Sequence, residues 1–315
     1  MKRPAELRAT VERLLAISDG QPVELVVADA SPVGQQLDLI HPRLTVALLD
    51  FPGGVDADYD KAISVASGRY CWLFTDDDCF DGDVIQEILR SIVSEDLDHP
   101  SLVLVNARVT DSAGELLRES MLGADAPRML AASASACEFA PLAELLTYIG
   151  SVVILRAIWM GRRSGDFVGS EFRHVGLILS SPLPGRVIVL QKAMITVRYG
   201  VAHWESRSLR VWTTQWPDVI RQSVANSDQW ELFFVRSTPR LVLSAVNYRA
   251  RGLLSRETAT QFFPTERTGI RNALFTAICA LPVAFARILV LAKAKVSSGD
   301  HRMLRFELDR TRTLR

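Results

Sequence analysis

Three consecutive aspartates, Asp76, Asp77 and Asp78, are the residues whose type and spacing most clearly allow chemistry. Like charges this close repel one another unless a cation or a proton compensates them. In an extended segment alternate side chains point the same way, so Asp76 and Asp78 can reach one ion while Asp77 points elsewhere. Carboxylates suit Mg²⁺ and Mn²⁺, which complete their coordination with water and substrate phosphates. The run therefore predicts a metal site of Asp76 and Asp78, although an acidic surface turn has the same composition.

The position of the run favours the metal site. An unbroken apolar segment, YCWLF at residues 70–74, directly precedes the aspartates. Such segments are typical of strands that are buried on both faces of a sheet. The aspartates would then lie at the carboxyl end of a strand, where open α/β sheets bind their ligands.

Helices and strands alternate on both sides of this segment. We predict helices at the start of the chain and over residues 56–67 and 83–92, and strands over 23–28, 44–49, 102–107 and 186–197. Asp111-Ser-Ala-Gly predicts the turn of a hairpin. This order of elements predicts an α/β fold with a mostly parallel central sheet.

The charges cancel over the whole chain, with 36 Lys and Arg against 36 Asp and Glu. This balance argues against a nucleic-acid-binding protein that works by neutralising phosphates. Residues 1–205 nevertheless carry 18 basic against 28 acidic side chains, and residues 206–315 carry 18 against 8. The split fits a metal-using front and a rear that faces an anionic surface, or an uneven scatter over a solvated surface. Since Arg-rich helical segments follow residue 205, we predict an α/β domain over 1–205 and a basic helical region over 206–315.

The four cysteines include no CxxC pair and no histidine at zinc-ligand spacing, and the first residues lack the apolar stretch of a signal peptide. These observations predict a cytoplasmic protein. The most apolar late stretch, residues 273–292, is interrupted by Pro282 and Arg287. We predict a helix in the membrane interface, with a buried packing helix as the alternative. Its basic flanks are Arg267, Arg271, Lys293 and Lys295.

The segment GVDADYDKAISVASGRYCWLFTDDD, residues 54–78, resembles the core of the bacterial family 2 glycosyltransferases. In that family a helix that ends in Ala-x-Gly-x-Tyr leads into a strand and then into an Asp-x-Asp motif. LVVADAS at residues 25–31 is similar to the second strand of the family. YIGSVVILR at 148–156 and FRHVG at 172–176 resemble the subgroup that includes abequosyltransferases of O-antigen synthesis. The resemblance covers about residues 7–205 and implies a GT-A fold, a Rossmann-like α/β sandwich, with a helical C-terminal extension.

The resemblance also implies a nucleotide-diphosphate sugar as donor, with Mg²⁺ or Mn²⁺ as cofactor. Asp76 and Asp78 would hold the diphosphate through the metal, and Asp77 would make a secondary contact with the nucleotide. Asp29 would contact the base or the ribose, or would only form the turn before Ser31.

Asp60 and Lys61, by the same resemblance, would line the nucleotide pocket. The alternative is that both lie on an exposed helix face.

One part of the family pattern is missing. Family members normally begin with a strand that ends in Pro-Thr-Tyr-Asn or a similar sequence and forms one wall of the nucleotide site. This sequence begins in the helix that follows. We expect either that the strand lies upstream or that the site lacks this wall, in which case a non-catalytic member is favoured.

An inverting transferase needs a carboxylate or an imidazole that takes the proton from the acceptor hydroxyl. The candidates are Glu171, then Asp166, and His174, all within the glycine-containing segment GDFVGSEFRH at residues 165–174. None of them reproduces the Glu-Asp pair of the family. The alternative for His174 is a hydrogen-bonded structural residue.

The resulting hypothesis is an inverting, metal-dependent transferase of cell-surface polysaccharide synthesis. Its acceptor would be a glycan or a polyprenyl-linked saccharide at the inner face of the cell membrane. One alternative is a non-catalytic GT-A protein that serves in binding or assembly. Another is a nucleotidyltransferase, which would carry a Gly-rich basic loop near its start, and no such loop is visible in the sequence.

Overall fold

The computed structural model describes residues 4–32, 34–49, 53–76, 78–93, 99–162, 166–200, 207–234, 238–262, 269–296 and 301–313. The chain forms two compact units. The first comprises residues 1–203 and 219–227, and the second comprises residues 204–218 and 228–315. The division of the chain at residue 205 into a catalytic α/β domain and a basic helical region stays a prediction.

The first unit contains six helices and nine strands among its described residues. Helices α1 to α6 span Pro4–Ile17, Val55–Val65, Val84–Val93, Ala143–Leu146, Arg156–Gly161 and Arg173–Leu179. Strands β1 to β9 span Leu25–Asp29, Leu44–Leu48, Tyr70–Trp72, Cys79–Phe80, Leu102–Thr110, Leu116–Arg118, Met129–Leu130, Val152–Leu155 and Val187–Arg198. Short 3-10 helices at Ala136–Leu142 and Ile149–Ser151 precede β8.

The strands form two sheets. β1 and β2 pair in parallel, and a seven-stranded sheet has the order β3-β8-β5-β9-β4, with β6 on β5 and β7 on β9. Within the larger sheet only β5 and β9 pair in parallel among the described strands, because β8 runs antiparallel between β3 and β5. The prediction of a mostly parallel sheet is therefore corrected to a mixed sheet. The hairpin around residues 111–114 is confirmed as the β5–β6 pair.

Burial in the core of the larger sheet explains why β5 and α3 form where they do. The first six residues of β5 are buried on both faces, as their unbroken apolar character predicts. Helix α3 packs its apolar positions Val84, Ile85 and Ile88 on the cluster that contains Val103 and Val105 of this strand. Apolar residues at this helical spacing form one stripe, so α3 can cover the sheet and still present polar residues to water.

The second unit is helical. Helix α7 spans Ser208–Arg210, a π-helical turn spans Val211–Gln215, and α8 spans Trp216–Ser223. Residues 219–223 of α8 belong to the first unit. Helices α9 to α13 span Thr238–Ala250, Arg256–Phe262, Gly269–Ala280, Val283–Val296 and Arg302–Thr313. One buried cluster joins α9 to α11 through Ala245, Tyr248, Phe275 and Ile278.

Candidate functional site

The aspartate run follows β3, as predicted, although the paired strand ends at Trp72. The backbone continues beside β8, where Leu73 N donates to Val152 O over 3.0 Å. Asp76 is partly exposed, and its carbonyl accepts a hydrogen bond of 3.2 Å from Thr10 Oγ1 of α1. Asp77 lies outside the described residues.

Asp78 is buried, with 7% of its surface exposed. Its Oδ2 accepts hydrogen bonds from Thr75 Oγ1 at 2.6 Å and from Tyr148 Oη at 2.7 Å. A buried carboxylate needs such donors, because removal from water otherwise disfavours its charged form. The two hydroxyls therefore fix the Asp78 carboxylate beside the carboxyl end of β3.

The backbone at Gly150 makes room for the tyrosine. A Cβ added at Gly150 would lie 2.3 Å from Tyr148 Oη, far closer than two such atoms can approach. The indole of Trp72 in β3 also donates to Gly150 O over 2.8 Å. The segment ahead of β8 is thus tied to β3 at the place where Tyr148 meets Asp78.

A cavity of about 1010 Å³ lies between the two sheets. Its lining is mainly apolar and comes from α1, β1, α2, β3 and α3, including Val11, Leu14, Val27, Ile63, Leu73 and Ile88. Asp29, Asp58 and Asp76 also line it. The cavity therefore brings together two of the predicted site residues, Asp29 and Asp76.

The strands on either side of this cavity begin at the same end. Glu24, just before β1, accepts hydrogen bonds from the backbone N–H groups of Ser67 and Gly68, just before β3, over 2.6 and 2.7 Å. Burial raises the pKa of the Glu24 carboxyl, but these hydrogen bonds outweigh burial and hold the pKa below its ordinary value. Both β1 and β3 line the cavity, and no described residues pair these two strands.

Asp29 is buried and organises the loop after β1. Its Oδ1 accepts a hydrogen bond from Ser31 N and its Oδ2 accepts one from Leu37 N, both over 2.7 Å. This geometry agrees with the alternative of a turn-forming aspartate. The residue also borders the cavity, so contact with a ligand there is compatible with its structural role.

Asp60 and Lys61 are not among the described residues that line the cavity. Asp60 accepts a hydrogen bond of 2.7 Å from Trp159 Nε1 and forms an ion pair of 2.9 Å with Arg173 Nη2. Arg173 is almost fully buried, with 2% exposed, so this carboxylate compensates a buried charge. Lys61 is exposed, which agrees with the alternative for that residue.

Glu171 is held by α2 through its backbone. The buried carboxylate of Asp56 accepts hydrogen bonds from Glu171 N at 3.0 Å and from Arg173 N at 3.4 Å, at the start of α6. Burial raises the pKa of Asp56, and these hydrogen bonds partly offset the rise. Glu171 itself has φ of 65°, a left-handed conformation that costs a non-glycine residue about 1–2 kcal/mol.

The other two candidate bases lie in different environments. Asp166 is exposed beside a smaller cavity of about 370 Å³ that Arg162, Phe167 and Gln222 also line. His174 is fully buried, and its Nε2 lies 2.8 Å from Leu146 O, so this nitrogen donates. Burial lowers the pKa of His174 to about 4. The structure thus favours the structural alternative for His174.

Sequence reasoning missed the partners of these carboxylates. Tyr148 binds Asp78, Asp56 binds the segment of Glu171, and Trp159 with Arg173 binds Asp60. Each partner is separated by 70 or more residues from its carboxylate. No local pattern marks such pairs, because the fold alone brings them together.

The carboxylates of Asp76 and Asp78 are chemically suited to bind a divalent metal ion. Among the described side chains, no group of three or more His, Cys, Asp or Glu is arranged as a ligand cluster. Mg²⁺ usually needs only one or two protein carboxylates and takes its other ligands from water and substrate phosphates. Asp76 and Asp78 supply hard oxygen donors of that class, and Asp78 is already fixed by Thr75 and Tyr148.

Comparison with known proteins bears on the same region. Residues 2–122 match the model of Glycosyl transferase family 2. No curated protein matches the chain. Among solved structures, the chain is similar to a crystal structure of S. aureus TarS 1-349, with a TM-score of 0.49, 12% identity, and 88% of this chain and 85% of that chain covered. A second structure of S. aureus TarS gives a TM-score of 0.47, 11% identity, and coverage of 88% and 52%.

The matched family region contains α1 to α3 and the aspartate run, and it supports the prediction of a glycosyltransferase. The predicted α/β fold with a C-terminal helical extension is confirmed, apart from the sheet, which is mixed; the match over residues 2–122 supports its assignment as a GT-A domain. The match ends before Asp166, Glu171 and His174, so it does not include the candidate bases.

Proposed function

We propose that this chain is a metal-dependent, inverting glycosyltransferase of cell-surface polysaccharide synthesis. Its donor is a nucleotide-diphosphate sugar, and its acceptor is a glycan or a polyprenyl-linked saccharide such as an O-antigen intermediate. The observation that carries the proposal is Asp78, fixed by Thr75 and Tyr148 after β3 inside the region that matches family 2.

Asp76 and Asp78 would hold Mg²⁺ or Mn²⁺. When bound, the ion neutralises the diphosphate that leaves with the nucleotide. Thr75 and Tyr148 keep the Asp78 carboxylate in one orientation, which spares the site a reorganisation when the donor binds. Asp29 borders the cavity and orders the loop through Ser31 and Leu37, where it can meet the base or the ribose.

Glu171 is our candidate for the general base. Its carboxylate would take the proton from the acceptor hydroxyl while that oxygen bonds to the anomeric carbon and the bond to the diphosphate breaks. Two observations support it over Asp166. The backbone of Glu171 is held by Asp56, and it keeps a strained conformation that glycine would adopt more easily.

We also infer that the cavity between β1 and β3 accepts one further strand, which would form a wall of the donor site. Neighbouring strands lie about 4.8 Å apart, so one strand between two others separates them by about 10 Å. β1 and β3 start at the same end, and their edges toward this mainly apolar space pair with no other described strand. α1 lines this space and contacts Asp76 through Thr10, midway along the helix, so a strand ahead of α1 would complete a β-α-β unit with β1.

The test of the activity is donor hydrolysis and transfer in the presence of Mn²⁺, with Asp76→Asn and Asp78→Asn as variants. We expect each variant to lower turnover by about 100-fold or more, because each removes a negative carboxylate that would hold the metal ion against the diphosphate. Asp125→Asn is the matched control, since Asp125 is an exposed aspartate outside the site. Turnover that persists in a metal chelator would refute the metal-dependent mechanism. An equal turnover in the two site variants and in the control would refute it as well.

A further inference from the structure

Helix α12 presents an apolar stripe to water. Phe285, Ile288, Leu289 and Val296 are exposed by 49%, 61%, 41% and 89%, and Ala292 is exposed between them. Their spacing of three, one, three and four residues places all five on one side of a helix with 3.6 residues per turn. Isolated exposed apolar residues are ordinary, but a continuous stripe usually marks a binding surface.

The opposite side of α12 is already occupied within the second unit. Ala286 and Val290 are buried in a cluster with Ala250 and Leu308 of helices α9 and α13. Arg287 donates to Thr311 Oγ1 of α13 over 3.0 Å. These contacts fix the rotation of α12, so the stripe cannot turn inward within this unit.

Two exposed lysines flank the stripe. At about 100° per residue, Lys293 and Lys295 lie on its two sides rather than within it. Lysines in this position can lay their methylene chains on an apolar surface and keep their ammonium groups beside anionic headgroups. The same arrangement disfavours a second copy of the stripe, because two symmetric copies would bring four like charges together.

The length of the helix argues for lying on a membrane rather than crossing it. No single described helix is long and apolar enough to span a bilayer. Ala273–Ala280 and Val283–Val296 have enough length and apolar character for a span only when taken together, and the pair is bent by 107°. A short helix such as α12 suits the interface, where its apolar side needs to enter only the outer acyl region.

We propose that the stripe of α12 docks on the surface of an anionic lipid bilayer, with Lys293 and Lys295 in contact with the headgroups. The proposal stands on the second unit and does not depend on transferase activity. It is consistent with a lipid-linked acceptor.

The experiment is sedimentation of the full chain with vesicles of phosphatidylcholine alone or with about one-third phosphatidylglycerol. We expect binding to the anionic vesicles, and a loss of about tenfold or more in Phe285→Gln/Ile288→Gln/Leu289→Gln. Lys293→Gln/Lys295→Gln should weaken binding by about fivefold per lysine on anionic vesicles only. The matched control is Ile40→Gln/Val93→Gln/Leu232→Gln, which removes three apolar side chains elsewhere that are on average more exposed.

Several results would overturn the proposal. The first is a failure of the wild type to bind anionic vesicles, and the second is equal binding by the wild type and the stripe variant. The third is light scattering that shows a dimer for the wild type and a monomer for the stripe variant. The substituted side chains are all exposed, so circular dichroism should show unchanged folding. If the stripe variant loses helical content, Phe285→Gln alone replaces it. Donor hydrolysis without vesicles should be the same in wild type and stripe variant, which separates this test from that of the transferase.

Discussion

The hydroxyl of Tyr148 joins the segment ahead of β8 to the aspartate run. We predict that Tyr148→Phe lowers Mn²⁺ affinity or turnover by about 10- to 100-fold, the usual effect of losing a residue that orients a metal ligand. Mn²⁺ titration of donor hydrolysis measures it. Tyr248→Phe, in the second unit, is the control, and an unchanged Mn²⁺ dependence in Tyr148→Phe would contradict the role.

Gly150 gives an independent route to the same hydrogen bond. A methyl group there would displace the Tyr148 ring, so Gly150→Ala should reproduce the loss seen in Tyr148→Phe. Gly123→Ala is its matched control, because nothing lies within 4 Å of a Cβ at that position. If the double variant loses the product of the two single effects, the two changes act separately and this link is wrong.

Glu171 allows stability and activity to be separated. We predict that Glu171→Gly stabilises the fold by about 1 kcal/mol, because glycine adopts the left-handed backbone without strain, and that it abolishes transfer. Glu171→Gln should keep the stability of wild type and also lose transfer. Urea denaturation and a transfer assay measure the two effects. Full transfer by Glu171→Gln would move the role of base to Asp166.

At the scale of elements, α6 carries a pH-sensitive contribution to stability. Burial lowers the pKa of His174 to about 4 from its ordinary 6.5, so the fold favours the neutral imidazole. The contribution is complete above pH 6.5. It falls by about 1.4 kcal/mol per pH unit as the unfolded chain takes up a proton, which totals about 3 kcal/mol by pH 4.

We therefore predict that His174→Gln, which retains a donor for Leu146 O, unfolds with a weaker pH dependence than wild type. Its free energy of unfolding relative to wild type should rise by about 3 kcal/mol between pH 7 and pH 4. Urea denaturation at several pH values measures this, with His99→Gln at an exposed histidine as control. Parallel profiles for wild type and His174→Gln would contradict it.

The space between β1 and β3 gives a second prediction for elements. A version of the chain with a six-residue Val-Ile strand and a short linker ahead of α1 should melt about 5 °C or more higher than the unextended chain. It should also bind the donor more tightly. The same extension with two central prolines cannot pair with its neighbours and should have neither effect. Equal melting temperatures for the two extensions would show that the space does not take a strand.

The elements themselves were largely predictable, and their pairing was not. The apolar stripe of α3 and the unbroken apolar run of β5 identify both elements directly. The run VVIL of β8 is equally apolar whichever way the strand points, so its antiparallel place between β3 and β5 could not be read from it. The position of Asp76 followed from its strand, whereas the partners of Asp60 could not be read from its helix, because Arg173 and Trp159 approach from distant sequence.

At the scale of the whole molecule, opposite charges are divided along a chain of zero net charge. We predict weak self-association near pH 7 at low ionic strength, because the acidic residues of 1–205 can attract the basic residues of 206–315 in another molecule. The attraction should be lost above about 0.3 M salt, where the Debye length falls below about 6 Å. Static light scattering from 20 mM to 0.5 M salt tests this. Association that grows with salt would indicate apolar contact instead.

The contacts that α2 makes with later parts of the chain affect the order in which the protein folds during its synthesis. Asp56, Asp60 and Ile63 bind partners that lie 93 to 117 residues further along the chain. At about 5–20 residues per second, a ribosome makes those partners roughly 5 to 25 seconds after it makes α2. The helix must wait that long before its buried carboxylates are satisfied, so the candidate site is among the last parts of the first unit to form.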